Sequence, residues 1–193
     1  MKSQTTTKNI YKAIIRLKCT PLHEQITRGH IYNIIDFATS FTNIHLTQLT
    51  PTQKQTTYRL LYKNTPTGQN NRLPCPICNK NITETEDHIF YDCTQIRQTR
   101  DALTKMLNTG LEPQTDIHRA IFLNTLPKQP QETHLIKLII LAIYRQTIWT
   151  VRLDTKFNMI KHNELTILNK FIYTTTHTLT KYNLWAAFER LLN

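Results

Sequence analysis

The stretch from Pro74 to Cys93, PCPICNKNITETEDHIFYDC, constrains the fold more than any other part of this sequence. It contains three of the four cysteines and one histidine, in the pattern Cys75-x2-Cys78-x9-His88-x4-Cys93. A Cys-Pro-Ile-Cys turn points two sulfur atoms at one point, and three thiolates with one imidazole complete a tetrahedral shell. Soft thiolates and imidazole favour zinc, and a full set of four protein ligands leaves no open position for catalysis. The pattern therefore predicts a structural zinc site.

Two other interpretations of these cysteines are a redox dithiol and cysteines without a shared role. A redox Cys-x2-Cys pair belongs to a thioredoxin-like strand–helix–strand unit, and the neighbouring sequence has no such pattern. A second His/Cys pair at short range favours the metal site over both. The remaining cysteine, Cys19, falls in a helical pattern, where we expect it to be a small buried hydrophobic residue.

The charge of the chain is concentrated before the predicted zinc site. The 193 residues include 24 Lys and Arg against 13 Asp and Glu, a formal net charge of +11. Ten of the basic residues but only two acids, Glu24 and Asp36, occur up to Pro74. This distribution is typical of a nucleic-acid-binding protein. A basic surface that only keeps the protein soluble is the alternative.

Two segments carry most of these cations at helical spacing. An amphipathic helix is predicted from Asn9, and Lys8, Lys12 and Arg16 form an i, i+4, i+8 row on it. A second helix is predicted over 52–64, with Thr50-Pro51 as its cap and Tyr58, Leu61 and Tyr62 as its apolar face. The candidate nucleic-acid contacts are Lys8, Lys12, Arg16, Lys18, Lys54, Arg59, Lys63 and Arg72. Two solvated helix faces are the alternative interpretation.

The apolar periodicity predicts an all-α protein with a small embedded Cys3His zinc module. Further helices are expected around Ile31–Phe41, at 95–107 with a stop at Gly110, over Asp116–Leu123, from about 132 to 160, and twice more up to Leu191. Only the Cys75–Cys78 turn and its flanks suggest a small hairpin. We divide the chain into a basic helical region at 1–70, the zinc module and its following helix at 71–110, and a helical region at 111–193. No apolar run reaches the roughly 18 residues that a membrane span requires.

The sequence contains no recognisable catalytic constellation. Its three glycines are isolated, so there is no Gly-rich phosphate loop, and neither serine lies in a nucleophile motif. Four acidic residues crowd the predicted zinc loop: Glu84, Glu86, Asp87 and Asp92. We expect them to be solvated, or to accept hydrogen bonds from loop amides and from the metal-bound imidazole. The chain is therefore not expected to be an enzyme.

Three motifs together resemble a known family. They are Tyr58-Arg-Leu-Leu-Tyr-Lys-Asn-Thr-Pro-Thr67, then Cys75-Pro-Ile-Cys78, and then Glu84-Thr85-x-x-His88-Ile-Phe90 with Cys93. In this order and spacing they look like the zinc-binding region at the C-terminal end of non-LTR retrotransposon reverse transcriptases. Downstream, the segment Ala142–Arg152 is similar to the I-W-x-x-R helix that follows the zinc site in that family. The specific motifs cover 58–93, with weaker likeness to about 160.

The resemblance implies that the cysteines and His88 bind zinc and that the region helps to hold RNA or target DNA. Two departures limit it. The polymerase motif with paired aspartates and the endonuclease domain are both absent, so neither activity is carried over. The family's Trp in the helix after the last cysteine is also missing, and Arg97 and Arg100 lie near that position. The chain resembles a detached or domesticated C-terminal piece, or a viral or organellar relative.

These observations predict a zinc protein that binds nucleic acid, with RNA favoured over DNA. Possible partners include a reverse transcriptase or a ribonucleoprotein, and no membrane is expected. The main alternative is a zinc-stabilised structural subunit of a larger ribonucleoprotein, organellar or viral assembly, and a remnant without a function is a third. Because the cysteines are committed to metal, we expect a reducing intracellular compartment, such as nucleus, cytoplasm or organelle.

Overall fold

The structure is a computed structural model of the chain, and it describes residues 34–46, 49–68, 72–109 and 115–192. The basic helix expected from Asn9, with Lys8, Lys12, Arg16 and Lys18, lies outside the described residues. Cys19 and the predicted stop at Gly110 lie outside them as well.

Within those ranges the protein is all-α, as the periodicity predicts, and contains no strand. The helices are α1 Ile34–Leu46, α2 Pro51–Leu61, α3 Arg97–Asn108, α4 Ile117–Leu123, α5 Gln131–Phe157, α6 Glu164–Lys181 and α7 Trp185–Leu192. A single isolated antiparallel bridge, between Pro74 and Thr83, occurs where the hairpin was expected. None of the described helices is long and apolar enough to cross a membrane.

Helix α5 is the centre of the fold. It packs against α2, α3, α4, α6 and α7, and most of its side chains between Ile136 and Arg152 are buried. One hydrophobic cluster includes Cys75 and Cys93, then α5, and then Phe171 of α6 and Phe188 of α7. The cysteine-rich loop therefore belongs to the same core as the helices. The division of the chain at 70 and 110 stays a prediction.

Local sequence signals explain where several helices begin. Thr50 and Gln53 form a capping box at the start of α2: the Thr50 hydroxyl accepts from the Gln53 amide, and the Gln53 side chain accepts from the Thr50 amide. Asp116 caps α4 with a single bond, in which its carboxylate accepts from the Arg119 amide. Pro130 directly precedes α5. A proline is tolerated at the start of a helix because the amide hydrogen that it lacks would have no partner within the helix.

The predicted apolar face of α2 belongs to a small hydrophobic cluster: Leu61 is buried, and the half-buried Tyr58 and Tyr62 pack against it. The side facing α5 consists of Gln53, Thr56, Thr57 and Leu60. The two threonine hydroxyls donate to the carbonyls of Thr52 and Gln53, so their burial leaves no unsatisfied donor.

Helix α1 overlaps the helical pattern expected around Ile31–Phe41, but Ala38 and Phe41 of that pattern are exposed. Among the side chains described on this helix, from 38 to 45, the buried ones are Ser40, Asn43 and Ile44. Ser40 and Asn43 donate hydrogen bonds to the carbonyls of Leu123 and Asn124, at the C-terminal end of α4. Polar contacts to a helix end select this face of α1, and hydrophobic periodicity does not detect them.

Buried cations on α5 fix the ends of two other helices. Arg145 donates to the carbonyls of Ala120 and Ile121 at the C-terminus of α4, at 2.6 and 2.7 Å. Lys137 donates to the carbonyls of Leu107 and Thr109 at the end of α3, at 2.6 and 3.0 Å. Helix C-termini present unpaired carbonyls and a partial negative charge, which these cations satisfy. Burial lowers the pKa of Arg145 to about 9 and lowers that of Lys137.

Candidate metal centre

The four predicted ligands lie together in the structure. One ligand atom from each of Cys75, Cys78, His88 and Cys93 lies within 4.8 Å of all the others, and all four residues are buried. The Cys78 Sγ and His88 Nε2 atoms are 3.4 Å apart. In a tetrahedral shell with metal–sulfur bonds of about 2.3 Å, neighbouring ligand atoms lie roughly 3.5–3.8 Å apart. The side chains are therefore positioned to hold a metal ion without rearrangement of the fold.

The first two ligands lie on a tight turn that backbone hydrogen bonds close. The Cys75 amide donates to the Ile82 carbonyl at 2.8 Å, and the Asn79 amide donates back to the Cys75 carbonyl at 3.2 Å. Asn79 has a φ of 50°, a left-handed conformation that asparagine tolerates better than most residues. This backbone aims both sulfur atoms toward His88.

Hydrogen bonds around the sulfur atoms set their protonation. The hydrogen bond from the Cys93 thiol, helped by the amides of Cys78 and Ile77, lowers the pKa of Cys75. The same bond, together with burial, raises the pKa of Cys93, and burial raises that of Cys78. The three sulfur groups therefore differ in how readily each loses its proton. A bound cation would displace those protons, since the thiolate is the metal-binding form.

A π-helical turn at His88–Asp92 brings the last two ligands together. The Cys93 amide donates to the His88 carbonyl at 2.7 Å, an i to i+5 bond. In a regular α-helix, residues five apart point about 140° away from each other. The wider π turn reduces that angle, so that both side chains reach the same point. Such turns are rare in proteins, and many of those that do occur lie at functional sites.

Glu84 connects this loop to α5. Its Oε1 atom accepts from Arg152 Nε at 2.5 Å, and its Oε2 atom lies 3.3 Å from Lys156 Nζ. The Gly68 amide donates to Oε2 at 2.6 Å, and Arg152 also donates to the Pro66 carbonyl at 2.7 Å. Glu84 and Arg152 are both buried, so the ion pair is shielded from water, and both carboxylate oxygens of Glu84 have partners.

Aromatic residues complete the contact between loop and helix. The Phe90 ring stacks on Trp149 with centroids 6.4 Å apart, and the Arg152 guanidinium lies 4.5 Å from the centre of the Trp149 ring. The buried Tyr144 hydroxyl donates to the Phe90 carbonyl at 2.8 Å. Trp149 is buried, as are Tyr144 and Arg152, whose roles the helical pattern alone does not indicate. The two residues lie eight apart on the helix, and only the loop contacts distinguish them from ordinary core positions.

The other acidic residues of the loop have different roles. Glu86 is buried and accepts from the Thr65 amide at 2.9 Å, and burial raises the pKa of its carboxyl group. Asp87 and Asp92 are exposed, and Asp87 pairs with His118 at 3.1 Å. Glu84 and Glu86 therefore accept hydrogen bonds from backbone amides, as expected. Asp87 and Asp92 are exposed to solvent, which was the other expectation.

The predicted nucleic-acid contacts within the described residues are accessible. Lys63 and Arg72 are exposed, and Lys54 and Arg59 are half-buried. Around the axis of α2, Lys54 and Arg59 lie about 140° apart, on opposite edges of the exposed side. Lys63 and Arg72 have left-handed backbones, with φ of 46° and 51°.

No protein-family model, curated protein or solved structure matches the chain. The likeness to the zinc-binding region of non-LTR retrotransposon reverse transcriptases therefore stays a prediction from the motifs. The structure does bring those motifs together, because Pro66, Glu84, Phe90 and Arg152 meet at one contact between the loop and α5.

Proposed function

We propose that this chain is a zinc protein that binds nucleic acid, RNA in preference to DNA, through the surface formed by α2 and the Cys75–Cys78 turn. The proposal includes no polymerase or nuclease step, and the chain would be a relative of the C-terminal zinc-binding region of a retroelement reverse transcriptase. Zinc would hold the loop that positions this surface against α5.

The donor set supports zinc as the metal. Three cysteine sulfurs and one imidazole nitrogen form a common composition of structural zinc sites, and all four residues are buried. Carboxylates, which calcium and magnesium require, pair with Arg152, Lys156 and His118 in this region and do not point at the cluster.

The observation that carries nucleic-acid binding is a long stretch of sequence with exposed cations and no acid. The sequence contains no Asp or Glu between Asp36 and Glu84. Glu84 and Glu86, the first acids after this stretch, are buried. Five cations with at least partly exposed side chains lie on α2 or between α2 and the residues just after the Cys75–Cys78 turn: Lys54, Arg59, Lys63, Arg72 and Lys80. A stretch with this excess of exposed cations attracts phosphates.

Salt dependence of binding tests the proposal. The zinc-loaded full chain is titrated against a labelled single-stranded RNA at several salt concentrations, in parallel with the variant Lys54→Gln, Arg59→Gln, Lys63→Asn. Asparagine is chosen at Lys63 because it tolerates the left-handed backbone. Each lost phosphate contact lowers the slope of log affinity against log salt by roughly 0.7, so we expect a decrease of about two.

A matched control removes the same charge elsewhere. Lys105→Gln, Lys128→Gln and Lys181→Gln replace three exposed lysines from other parts of the fold. We expect the control to keep the wild-type slope within about half a unit. Equal effects of the two triple variants would reduce the proposal to a non-specific attraction by net charge, and an unchanged slope in the α2 variant would contradict it.

The N-terminal cations form an independent set for the same measurement. Lys8→Gln, Lys12→Gln and Arg16→Gln remove the i, i+4, i+8 row of the sequence, and we expect a further decrease in slope of about two. An unchanged slope would mean that this row only carries solvated charges.

A second candidate function is a structural subunit of a larger assembly. The observation that favours it is an apolar surface on α6, where Leu165 is 58% and Tyr173 is 73% exposed, next to the half-exposed Ile172. Apolar side chains grouped on one helix frequently mark a protein interface. Binding of RNA only within a purified complex, and not by the isolated chain, would favour this function over the first.

A further inference from the structure

A cleft of about 560 Å³ lies between the Cys75–Cys78 turn and the C-terminal end of α5. One wall comprises Leu73, Pro76 and Ile77, and the other comprises Lys156, Met159 and Lys161. The metal ligands Cys75 and Cys78 contribute to its lining. A cleft of this volume has the size of typical small-ligand sites, which span about 300–1,000 Å³.

The lining combines apolar side chains, amides and cations. Leu73 is 42% and Met159 is 82% exposed, which is unusual for apolar side chains of this size. Asn79 and Gln95 add side-chain amides, each with donors and an acceptor. Among the described residues that line the cleft there is no acid, and Lys161 is exposed at its edge.

These groups match the parts of one nucleotide. A base has two flat faces that favour apolar contact and edges that hydrogen-bond with amides, and the phosphate carries the negative charge that a lysine attracts. An acidic peptide would satisfy the lysines but not the apolar walls. An uncharged apolar ligand would satisfy the walls but not the lysines.

We propose that the cleft binds one unpaired nucleotide of a single-stranded RNA, with its base against Leu73 and Met159 and its phosphate at Lys161. The inference rests on the proposed nucleic-acid function and adds to it a preference for unpaired over paired RNA. A base inside a duplex cannot enter, because its faces are covered by stacked neighbours and its edge by its partner. The cations of α2 would still attract both forms.

The test compares two RNAs on the zinc-loaded full chain by fluorescence anisotropy, a labelled U12 single strand and a labelled 12-base-pair duplex. The cleft variant is Met159→Gly with Lys161→Gln. Met159 has a φ of 57°, so glycine removes the side chain without straining the backbone. We expect this variant to lose about tenfold in affinity for U12 and less than about twofold for the duplex, since stacking and phosphate contacts are each worth several-fold.

The matched control is Asn183→Gly with Lys181→Gln. It introduces glycine at another left-handed position, with φ of 57°, and removes another exposed lysine. Neither residue lines the cleft. We expect wild-type affinity for both RNAs, and circular dichroism with zinc analysis verifies that both variants keep the fold.

The outcomes separate this inference from the proposed function. Weaker binding of U12 by the cleft variant, with duplex binding retained, supports the cleft. Unchanged binding of U12 by the cleft variant, with both RNAs weakened by the α2 variant, would overturn the cleft and leave the α2 surface in place, and a protein partner would then be the better occupant. Binding of neither RNA by the wild-type chain would overturn both.

A second measurement does not depend on variants. The wild-type chain is irradiated with U12 that contains 4-thiouridine, and the cross-linked peptide is identified by mass spectrometry. We expect cross-links within 73–79 or 155–162, the segments that form the two walls. Cross-links confined to α2 would contradict the cleft site.

Discussion

The loop from Leu73 to Ile96 and the helices α5 and α6 are packed into one core but are ordered by different means. The loop contains one isolated bridge, one π turn and one 3₁₀ turn, and four potential metal ligands lie buried within it. Helices α5 and α6 contribute long buried apolar faces and internal hydrogen bonds. Helices α5 and α6 combine apolar burial with regular internal hydrogen bonds and need no ion, whereas the loop buries Ile89 and Phe90 but has few backbone hydrogen bonds of its own. We therefore expect the loop to depend on metal and the helices to keep their structure without it.

The two regions also differ in how they accommodate buried charge. In the loop, the pKa of Cys75 is lowered and that of Cys93 is raised by the hydrogen bond between them, and a bound cation would take the place of the thiol protons. On α5, the cations belong to the chain itself, and each pairs with fixed carbonyls or with Glu84. The first arrangement responds to metal concentration and the second does not. Four measurements probe this difference, beginning with the largest expected effect.

Removal of the metal is the strongest perturbation. Structural zinc sites contribute on the order of 10 kcal/mol or more of apparent binding free energy near neutral pH. We expect about one zinc per chain, and we expect Cys78→Ser or His88→Ala to unfold at least 73–107 while α5 and α6 remain helical. Hydrogen exchange by mass spectrometry locates the change. Cys19→Ser is the control and should keep the zinc, whereas a natively purified chain without zinc would remove the basis of the comparison.

Loss of the contact between the two regions should have the next largest effect. Arg152→Met leaves Glu84 buried with Lys156 as its one remaining cation, at 3.3 Å. Removing one partner of a buried ion pair lowers the free energy of unfolding by about 3–5 kcal/mol. We expect a loss of about 3 kcal/mol here, because Lys156 still pairs with Glu84. Denaturant unfolding of the zinc-loaded chain measures the loss. Glu84→Gln in addition to Arg152→Met should recover part of it, because no unpaired charge then remains, while Lys156→Met alone should cost less than about 1 kcal/mol.

Gly68 tests how tightly the segment after α2 packs against the loop. A β-carbon at this position would lie 2.6 Å from the Leu73 Cβ and 2.7 Å from the Glu84 Oε2. Neither neighbour can move freely, since Glu84 is held by Arg152 and the Leu73 Cβ is attached to the backbone. We expect Gly68→Ala to lower the free energy of unfolding by about 1–3 kcal/mol, the usual cost of overpacking. Asn81→Ala, at an exposed loop position, is the control and should leave stability unchanged.

The smallest expected effect concerns pH and lies on the helical side. His134 at the start of α5 lies 3.1 Å from Asn43 Oδ1 and 3.4 Å from Gln129 Nε2, and these contacts suit a neutral ring. Burial lowers its pKa below the ordinary value. As pH falls through about 6.5, the unfolded chain binds a proton that the folded chain resists, so stability decreases. The slope should be below about 1.4 kcal/mol per pH unit, the limit for a single group.

The variant His134→Gln isolates this contribution, because any loss of metal in acid affects both proteins alike. We expect the variant to show a flatter decrease of unfolding free energy between pH 7 and pH 5. Parallel curves for variant and wild type would mean that His134 does not discriminate between the two states.

The sequence allowed prediction of the elements and the ligands, but not of the contacts that join them. Helix α5 was predictable because its apolar residues keep helical spacing for seven turns, and the four ligands were predictable because their types and spacing are specific. The π turn was not, since a His-x4-Cys spacing fits no standard helix. The pairing of Glu84 with Arg152 spans 68 residues, and neither residue alone signals its partner. The burial of Thr57 and Ser40 was not predictable from hydrophobic patterns, because their hydroxyls are buried through hydrogen bonds to backbone carbonyls.

The Glu84–Arg152 pair also has a consequence for the order of folding. The four ligands occur within a short stretch, from Cys75 to Cys93, so the entropy lost on closing the metal site is modest. During synthesis that stretch is complete well before Arg152 has been added, at about 5–20 residues per second. The metal site can thus close first, while Glu84 stays hydrated until α5 has been synthesised and Arg152 pairs with it. An excised loop would bind metal yet leave Phe90 and Glu84 uncovered, so the centre is an integral part of the helical domain and not a transferable finger.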